Sequence, residues 1–139
     1  MIKVPDNVTH LDIDILARTI WGEARGESQQ GRIAVGWVIL NRTMHRRRWP
    51  DDVMGTCLEK YQFSCWLDSD PNRDKMRGVT FDDPVFRRCY EAAVAVCNGS
   101  EVDPTQGADH YHTTSISPNW ADKSKVTCTI GHHRFYKLA

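Results

Sequence analysis

Apolar residues near the start of the chain recur at the spacing of an α-helix. Ile13, Leu16, Ala17, Ile20, Trp21 and Ala24 fall on one stripe, which predicts a helix from about Leu11 to about Ala24 with that stripe turned to a core. Thr9 and Asp12 have the S/T-x-x-D/E spacing of a helix start, and Gly26 suits a C-terminal cap. A second helix is predicted from Gln29 to about Arg46, with Ser28 as its N-cap. Its segment IAVGWVIL, Ile33 to Leu40, is apolar almost all the way round, as expected of a helix at the centre of a domain. Gly36 inside it costs about 1 kcal/mol relative to alanine, which predicts close packing against another backbone. The basic run His45, Arg46, Arg47, Arg48 reads as a solvated last turn that complements the helix dipole.

Pro50 stops that helix. A short helical piece is expected from Asp51 to Cys57, followed by YQFSCW, Tyr61 to Trp66. The polar stretch LDSDPNRDKMRG, residues 67–78, reads as a surface loop. Asp82 and Asp83 followed by Pro84 start a third long helix. Phe86, Cys89, Tyr90, Ala93 and Cys97 mark its buried face, and Asn98-Gly99 closes it. The tail changes period. Lys125 to Ile130 alternates and is rich in β-branched residues, Gly131-His132 turns the chain, and His133 to Tyr136 runs back, a β-hairpin. The sum is an α+β fold, mostly α with a small β-hairpin. No repeat, low-complexity tract or linker divides it, so residues 1–139 are expected to form a single domain.

A chain of 139 residues can bury a core without metals or disulfide staples. Its formal net charge of zero provides no strong field toward nucleic acid or a membrane. No segment approaches the ~20 apolar residues of a membrane span, so neither a nucleic-acid partner nor membrane insertion is expected, and the chain is expected to be a monomer. The N-terminal MIKVPDNVTHLDID lacks the apolar stretch of a signal peptide, which predicts synthesis in the cytoplasm of the producing cell. The five cysteines, Cys57, Cys65, Cys89, Cys97 and Cys128, are scattered and form no C-x-x-C pair. They read as small buried thiols in a reducing compartment rather than as a disulfide framework or zinc site; whether two of them bridge is left open.

Three segments carry candidate chemistry. Glu23 stands among small residues at the end of a core-facing helix, in WGEARGE. Small neighbours leave room for a ligand, and a carboxyl shielded from water holds its proton as a general acid must. Taken alone, a helix-end glutamate in solvent or paired with Arg25 is the commoner case. Gln62, Phe63 and Ser64 form a polar-aromatic-polar triplet of the kind that lines sugar grooves, though by itself it is an ordinary strand or turn. In GADHYHT, residues 107–113, His110 and His112 fall on one face of an extended strand. That is half of a zinc site at most, and two hydrogen-bonding histidines beside a polar cleft are the better account. No G-x-S-x-G elbow, singled-out cysteine nucleophile or glycine-rich phosphate loop is present. No metal and no cofactor is therefore expected.

Taken in order, these segments resemble the cell wall hydrolase family of spore cortex-lytic enzymes, the SleB/CwlJ type. LARTIWGEARGES, Leu16 to Ser28, looks like its E-A-R-G-E signature, and QQGRIAVGWVILNR like the helix that follows. YQFSCW is similar to its Q-F-S segment, GADHYHTTSISPNWA to its G-A-x-H-Y/F-H…P-x-W segment, and TIGHHRFYK to its closing I-G-x-H-x-F-Y motif. The resemblance covers most of the chain. It implies a lysozyme-like fold shared with lytic transglycosylases, and Glu23 as the catalytic acid. It also implies that Gln62, Phe63, Ser64, His110, Tyr111 and His112 border a glycan groove, to which Trp120 of the P-x-W segment is added. Gly22 departs from the alanine or cysteine more usual before the glutamate. A bare catalytic domain of this kind also looks like a phage endolysin, which would reach the wall through a holin.

The activity so implied is cleavage of bacterial peptidoglycan between N-acetylmuramic acid and N-acetylglucosamine. A hydrolase needs a second carboxylate some ~5–10 Å away, and only Glu27 and Asp109 look eligible; a lytic transglycosylase needs none. The basic run after Met44 would then also attract an anionic wall. Two rival readings remain: a metal-dependent amidase built on His110 and His112, and a non-catalytic wall-binding module presenting Trp66, Tyr111 and Trp120.

Overall fold

A computed structural model describes residues 2–45, 48–59 and 62–139. Helix α1 spans His10–Ala24 and opens with a complete capping box: Thr9 accepts from the Asp12 backbone while the Asp12 carboxylate accepts from Thr9. The second Asp12 oxygen accepts from the backbone of Met54 at 3.0 Å, so one side chain caps α1 and ties it to helix α3, Val53–Leu58. The end of α1 differs from expectation. Its C-cap is Arg25 in an ordinary helical conformation, and Gly26 is not among the left-handed glycines.

Helix α2, Gln29–Met44, is capped by Ser28 and buried from Ala34 to Leu40. The helix ends short of the expected Arg46: His45 is its C-cap with an extended backbone, and Arg46 and Arg47 of the basic run lie outside the described residues. Gly36 is closely packed, but against side chains: a Cβ there would meet Val96 at 3.2 Å and Ile20 at 3.3 Å. Helix α5, Pro84–Cys97, starts at Asp83, whose carboxylate accepts from Val85 and Phe86, and carries Phe86, Cys89, Ala93, Val96 and Cys97 on its buried face. Helices α1, α2 and α5 pack together as the main core.

Residues 67–78 are not simply a loop. Asn72–Gly78 forms helix α4, and its Met76 is fully buried against Gly22 of α1. A seven-residue helix is too short to hold itself. Arg18 of α1 supports it by donating to the carbonyls of Met76 at 2.7 Å and Val79 at 2.8 Å, which satisfies acceptors that a helix end leaves orphaned.

The hairpin forms as β2, Val126–Ile130, and β3, His133–Tyr136, turning at Gly131 with φ +56°. A third strand, β1 at His110–Thr113, pairs antiparallel with β3 on its other edge, giving the order β1-β3-β2. Ala108 and Phe135 pack this sheet on Ala34 and Val38 of α2. The fold is α+β and mostly α, as the sequence pattern predicts. All five cysteines are free. Burial pushes the thiols of Cys57 and Cys97 up to about 12 and that of Cys89 to about 11, so they are inert packing groups.

Candidate active site

Helix α1 delivers Glu23 in its last turn, half-buried, on one wall of a cleft of about 580 Å³. That is the size of a small-ligand site. The helix can approach so closely because position 22 has no side chain. A Cβ on Gly22 would run into the Met76 sulfur and stand 3.1 Å from Cys65, so Gly22 lets α1 rest on α4 and on the 3-10 turn Ser64–Trp66.

The opposite wall is strand β1. Tyr111 donates its hydroxyl to Glu23 Oε1 at 2.5 Å. Burial, followed by the adjacent Glu23 charge and this hydrogen bond, holds the Tyr111 hydroxyl well above the ordinary tyrosine range, so it keeps its proton and remains a donor. The ring is fixed by His133 at 4.9 Å and Phe135 at 5.8 Å between centroids. His112 also lines the cleft. Both its ring nitrogens are engaged, Nε2 with the Tyr136 hydroxyl at 2.6 Å and Nδ1 with the Thr113 carbonyl at 2.7 Å.

Of the residues singled out in the sequence, Glu23, Gln62, Ser64, Tyr111, His112 and Trp120 meet at this cleft. Phe63 and His110 do not. Phe63 is 3 % exposed and sits in the core beneath the Arg42 guanidinium; Gln62 and Ser64 face outward on either side of it. The His110 ring is drawn to the Asp109 carboxylate at 2.8 Å and stands between Trp49 and Trp120. It backs Trp120 rather than facing the cleft.

Neither eligible second carboxylate lines the cleft. Glu27 accepts from the backbone and ring of His132, at 2.8 and 2.9 Å, on the β2–β3 turn. Asp109 accepts from the His110 ring and from the backbone of Leu138 and Ala139. Burial would raise both carboxyls, but these hydrogen bonds outweigh it and hold each below its ordinary value. Glu23 is thus the sole carboxylate on the cleft wall among the described residues.

The two rings of the His-x-His pair are each engaged by neighbouring protein groups. Among the described residues no three His, Cys, Asp or Glu side chains converge as a cation would require, and His112 has no free ring nitrogen. Trp66 is likewise no display aromatic: it is half-buried on the core and its indole nitrogen donates to Thr19 at 2.9 Å.

Sequence reasoning assigned no role at the cleft to Arg42 or His133. Arg42 is buried inside α2, donating from Nε to the Asp109 carbonyl at 2.7 Å and from a terminal nitrogen to Gln62 Oε1 at 3.0 Å. It fixes the Gln62 amide at the cleft rim. The available signal was register: residue 42 lies seven after Val35 and four after Val38, on the core side of the helix. His133 lines the cleft beside Tyr111; burial lowers its basicity more than Glu27 raises it, so it is held neutral.

The model of the Cell Wall Hydrolase family matches residues 26–136. That stretch begins three residues past Glu23, whereas full relatives align over nearly the whole chain. The spore cortex-lytic enzyme of Oceanobacillus iheyensis is 32% identical over 98% of this chain and 45% of its own length. That of Bacillus subtilis is 31% identical over 96% of this chain and 40% of its own length. The chain spans less than half the length of those relatives. Among solved structures, the catalytic domain of the Bacillus cereus SleB protein superposes with a TM-score of 0.77 at 29% identity, covering 96% of this chain and 95% of that one. The catalytic domain of the germination-specific lytic transglycosylase SleB from Bacillus anthracis gives 0.75 at 29% identity, covering 96% and 100%. The order of elements, the cleft at the end of α1 and these likenesses agree: the chain belongs to the Cell Wall Hydrolase family.

Proposed function

We propose that this protein degrades bacterial peptidoglycan by cutting its glycan strands between N-acetylmuramic acid and N-acetylglucosamine, as a lytic transglycosylase in which Glu23 serves as both acid and base. The observation that carries this reading is a sugar-sized cleft with one carboxylate on its wall, gripped by a tyrosine. The Bacillus anthracis relative is described as a lytic transglycosylase, which points the same way.

The chemistry follows from that single group. Tyr111 engages Oε1 and fixes the carboxyl plane, so the other oxygen carries the proton to the glycosidic oxygen. As the C1–O bond breaks, the muramic acid's own C6 hydroxyl attacks C1 and the Glu23 carboxylate takes the proton that hydroxyl loses. A 1,6-anhydro ring and a free 4-hydroxyl result, and Glu23 ends protonated as it began. No water is consumed. Retaining or inverting hydrolysis would need a second carboxylate about 5–10 Å away across the bond; Glu27 and Asp109 are both turned to structural partners. Gln62 and Ser64 offer hydrogen bonds to sugar hydroxyls, and Trp120, 41 % exposed, offers an apolar face to a sugar ring.

Glu23→Gln should fold as the parent does, by circular dichroism and melting temperature, and release no soluble fragments from purified sacculi. Mass spectra of the parent's products should show anhydro-muramyl ends. Reducing ends would convert the reading to hydrolysis, and wild-type release by Glu23→Gln would remove Glu23 from the mechanism.

A further inference from the structure

The cleft continues past Ile116 and Pro118. Beyond them lies a smaller pocket of about 100 Å³ that shares His112, Ile116 and Pro118 with it. The character of the wall changes there. Lys123 and Arg134 border this pocket together with Thr114 and Ser117, and no carboxylate lines it. The two cations come from different elements: Arg134 from β3, and Lys123 from the 3-10 turn Lys123–Lys125 that leads into β2.

Neither cation is ion-paired among the described residues. Arg134 Nε donates to Thr129 Oγ1 at 3.4 Å, and its terminal nitrogens have no protein partner among the described residues. The adjacent carboxylate, Asp122, is engaged instead by the backbone and hydroxyl of Ser124 at 3.0 and 2.6 Å. Two cationic residues from different elements border one small recess beside the hydroxyls of Thr114 and Ser117, and no carboxylate is among the residues that line it. Such a recess favours an anion. On the substrate proposed above, each muramic acid carries its carboxylates on the lactyl ether, as the free acid or along the peptide stem.

We infer that this pocket is a carboxylate subsite in which Lys123 and Arg134 hold the charged substituent of a muramic acid whose sugar lies in the cleft. The inference rests on the glycan-cleaving reading of that cleft. It makes Lys123 and Arg134 specificity-determining residues rather than catalytic ones, and it fixes which way a strand lies across Glu23.

The test uses three forms of one soluble peptidoglycan preparation: intact, stripped of stems by an amidase so that lactyl carboxylates are free, and intact with every carboxyl converted to the methylamide by carbodiimide and methylamine. The double variant Lys123→Gln/Arg134→Gln is compared with the parent and with Lys75→Gln, which removes a charge from α4. On intact strands the double variant should raise KM about fivefold, the sum of two exposed charge contacts, with kcat nearly unchanged and Lys75→Gln like the parent. The parent should show the same rise on methylamidated strands, and the double variant no further rise. On intact strands the lactyl carboxyl is held in the amide to the stem, so the anion there is a stem carboxylate. A parent KM on stem-stripped strands close to that on intact ones shows that the freed lactyl carboxylate also serves the pocket, and a KM as high as on methylamidated strands confines the subsite to the stem. Equal parent KM on intact and methylamidated strands would overturn the subsite while leaving the glycan-cleaving reading in place. Absence of cleavage of every form by the parent would overturn that reading and the subsite with it.

Discussion

At the scale of single residues, the cleft depends on how one carboxyl is held. Glu23 lies at a helix end, where a free side chain would sample several rotamers. Tyr111 removes that freedom from the opposite wall with a 2.5 Å hydrogen bond, and the tyrosine ring is itself held between His133 and Phe135. Tyr111→Phe keeps the ring and its packing and deletes only the hydroxyl. Its melting temperature should stay within a few degrees of the parent. Its kcat should fall about 10- to 100-fold, the usual consequence of a catalytic group left slightly misplaced, with KM little changed. An equal loss in kcat and stability would instead make Tyr111 a packing residue. At this scale the sequence was informative about identity and less so about direction. Gln62, Phe63 and Ser64 alternate outward, inward, outward, as an extended piece requires, so the aromatic member of the triplet was bound to face away from its polar neighbours. His110 and His112 share a face by the same rule, but an adjacent carboxylate, Asp109, claims the first ring.

Whole elements were legible where their own pattern decides them. Helices α1, α2 and α5 combine periodic apolar stripes with Thr9, Ser28 and Asp83 as caps, and both signals are local. Helix α4 has neither. Its stretch is polar, its N-cap is Pro71 without a side-chain bond, and its stability comes from Arg18 and from the seat of Met76 against Gly22. Those contacts lie far along the chain, and a single residue, Met76, was the only apolar clue. Strand β1 poses the same difficulty: an extended HYHT is readable, yet its pairing with the far edge of β3 rather than with β2 is a matter of tertiary docking. Met76→Ala tests the point. A residue in a surface loop loses almost nothing on truncation. A fully buried methionine between α1 and α4 should lose about 2–5 kcal/mol, read as a shift of the urea midpoint with an unchanged slope. Because α4 supports the wall of the cleft at Gly22, activity should fall with it even where the rest of the fold persists.

Across the whole molecule, the helical part and the sheet are joined by ionisable groups that all respond to acid in one direction. Glu27, at the start of α2, accepts from His132 and lies 3.8 Å from the His133 ring. Asp109 accepts from His110 and from the last two backbone amides of the chain. For both carboxyls, burial acts to raise the pKa and the hydrogen bonds prevail, leaving the folded value below the ordinary 4.5 for Glu27 and 3.8 for Asp109. Their stabilisation is present above those values and is lost as pH falls through the folded ones. His133 adds to the trend from higher pH. Burial sets its folded value below the ordinary 6.5, so below that pH the unfolded chain binds a proton that the native protein refuses, and stability again declines. Melting temperature should therefore fall in two stages, first below about pH 6.5 through His133 and again below about pH 4.5 through the carboxylates. His133→Gln should flatten the upper part of that fall and leave the lower part, and Glu27→Gln should do the reverse at the cost of the His132 contact. A melting temperature that rises on acidification, or a fall unaltered by either substitution, would show that the joint between helices and sheet is not what titrates. Since His133 and Tyr111 are in contact beside Glu23, the same acid transition should disorder the cleft wall before the helices unfold, so that activity is lost at a higher pH than helical circular dichroism.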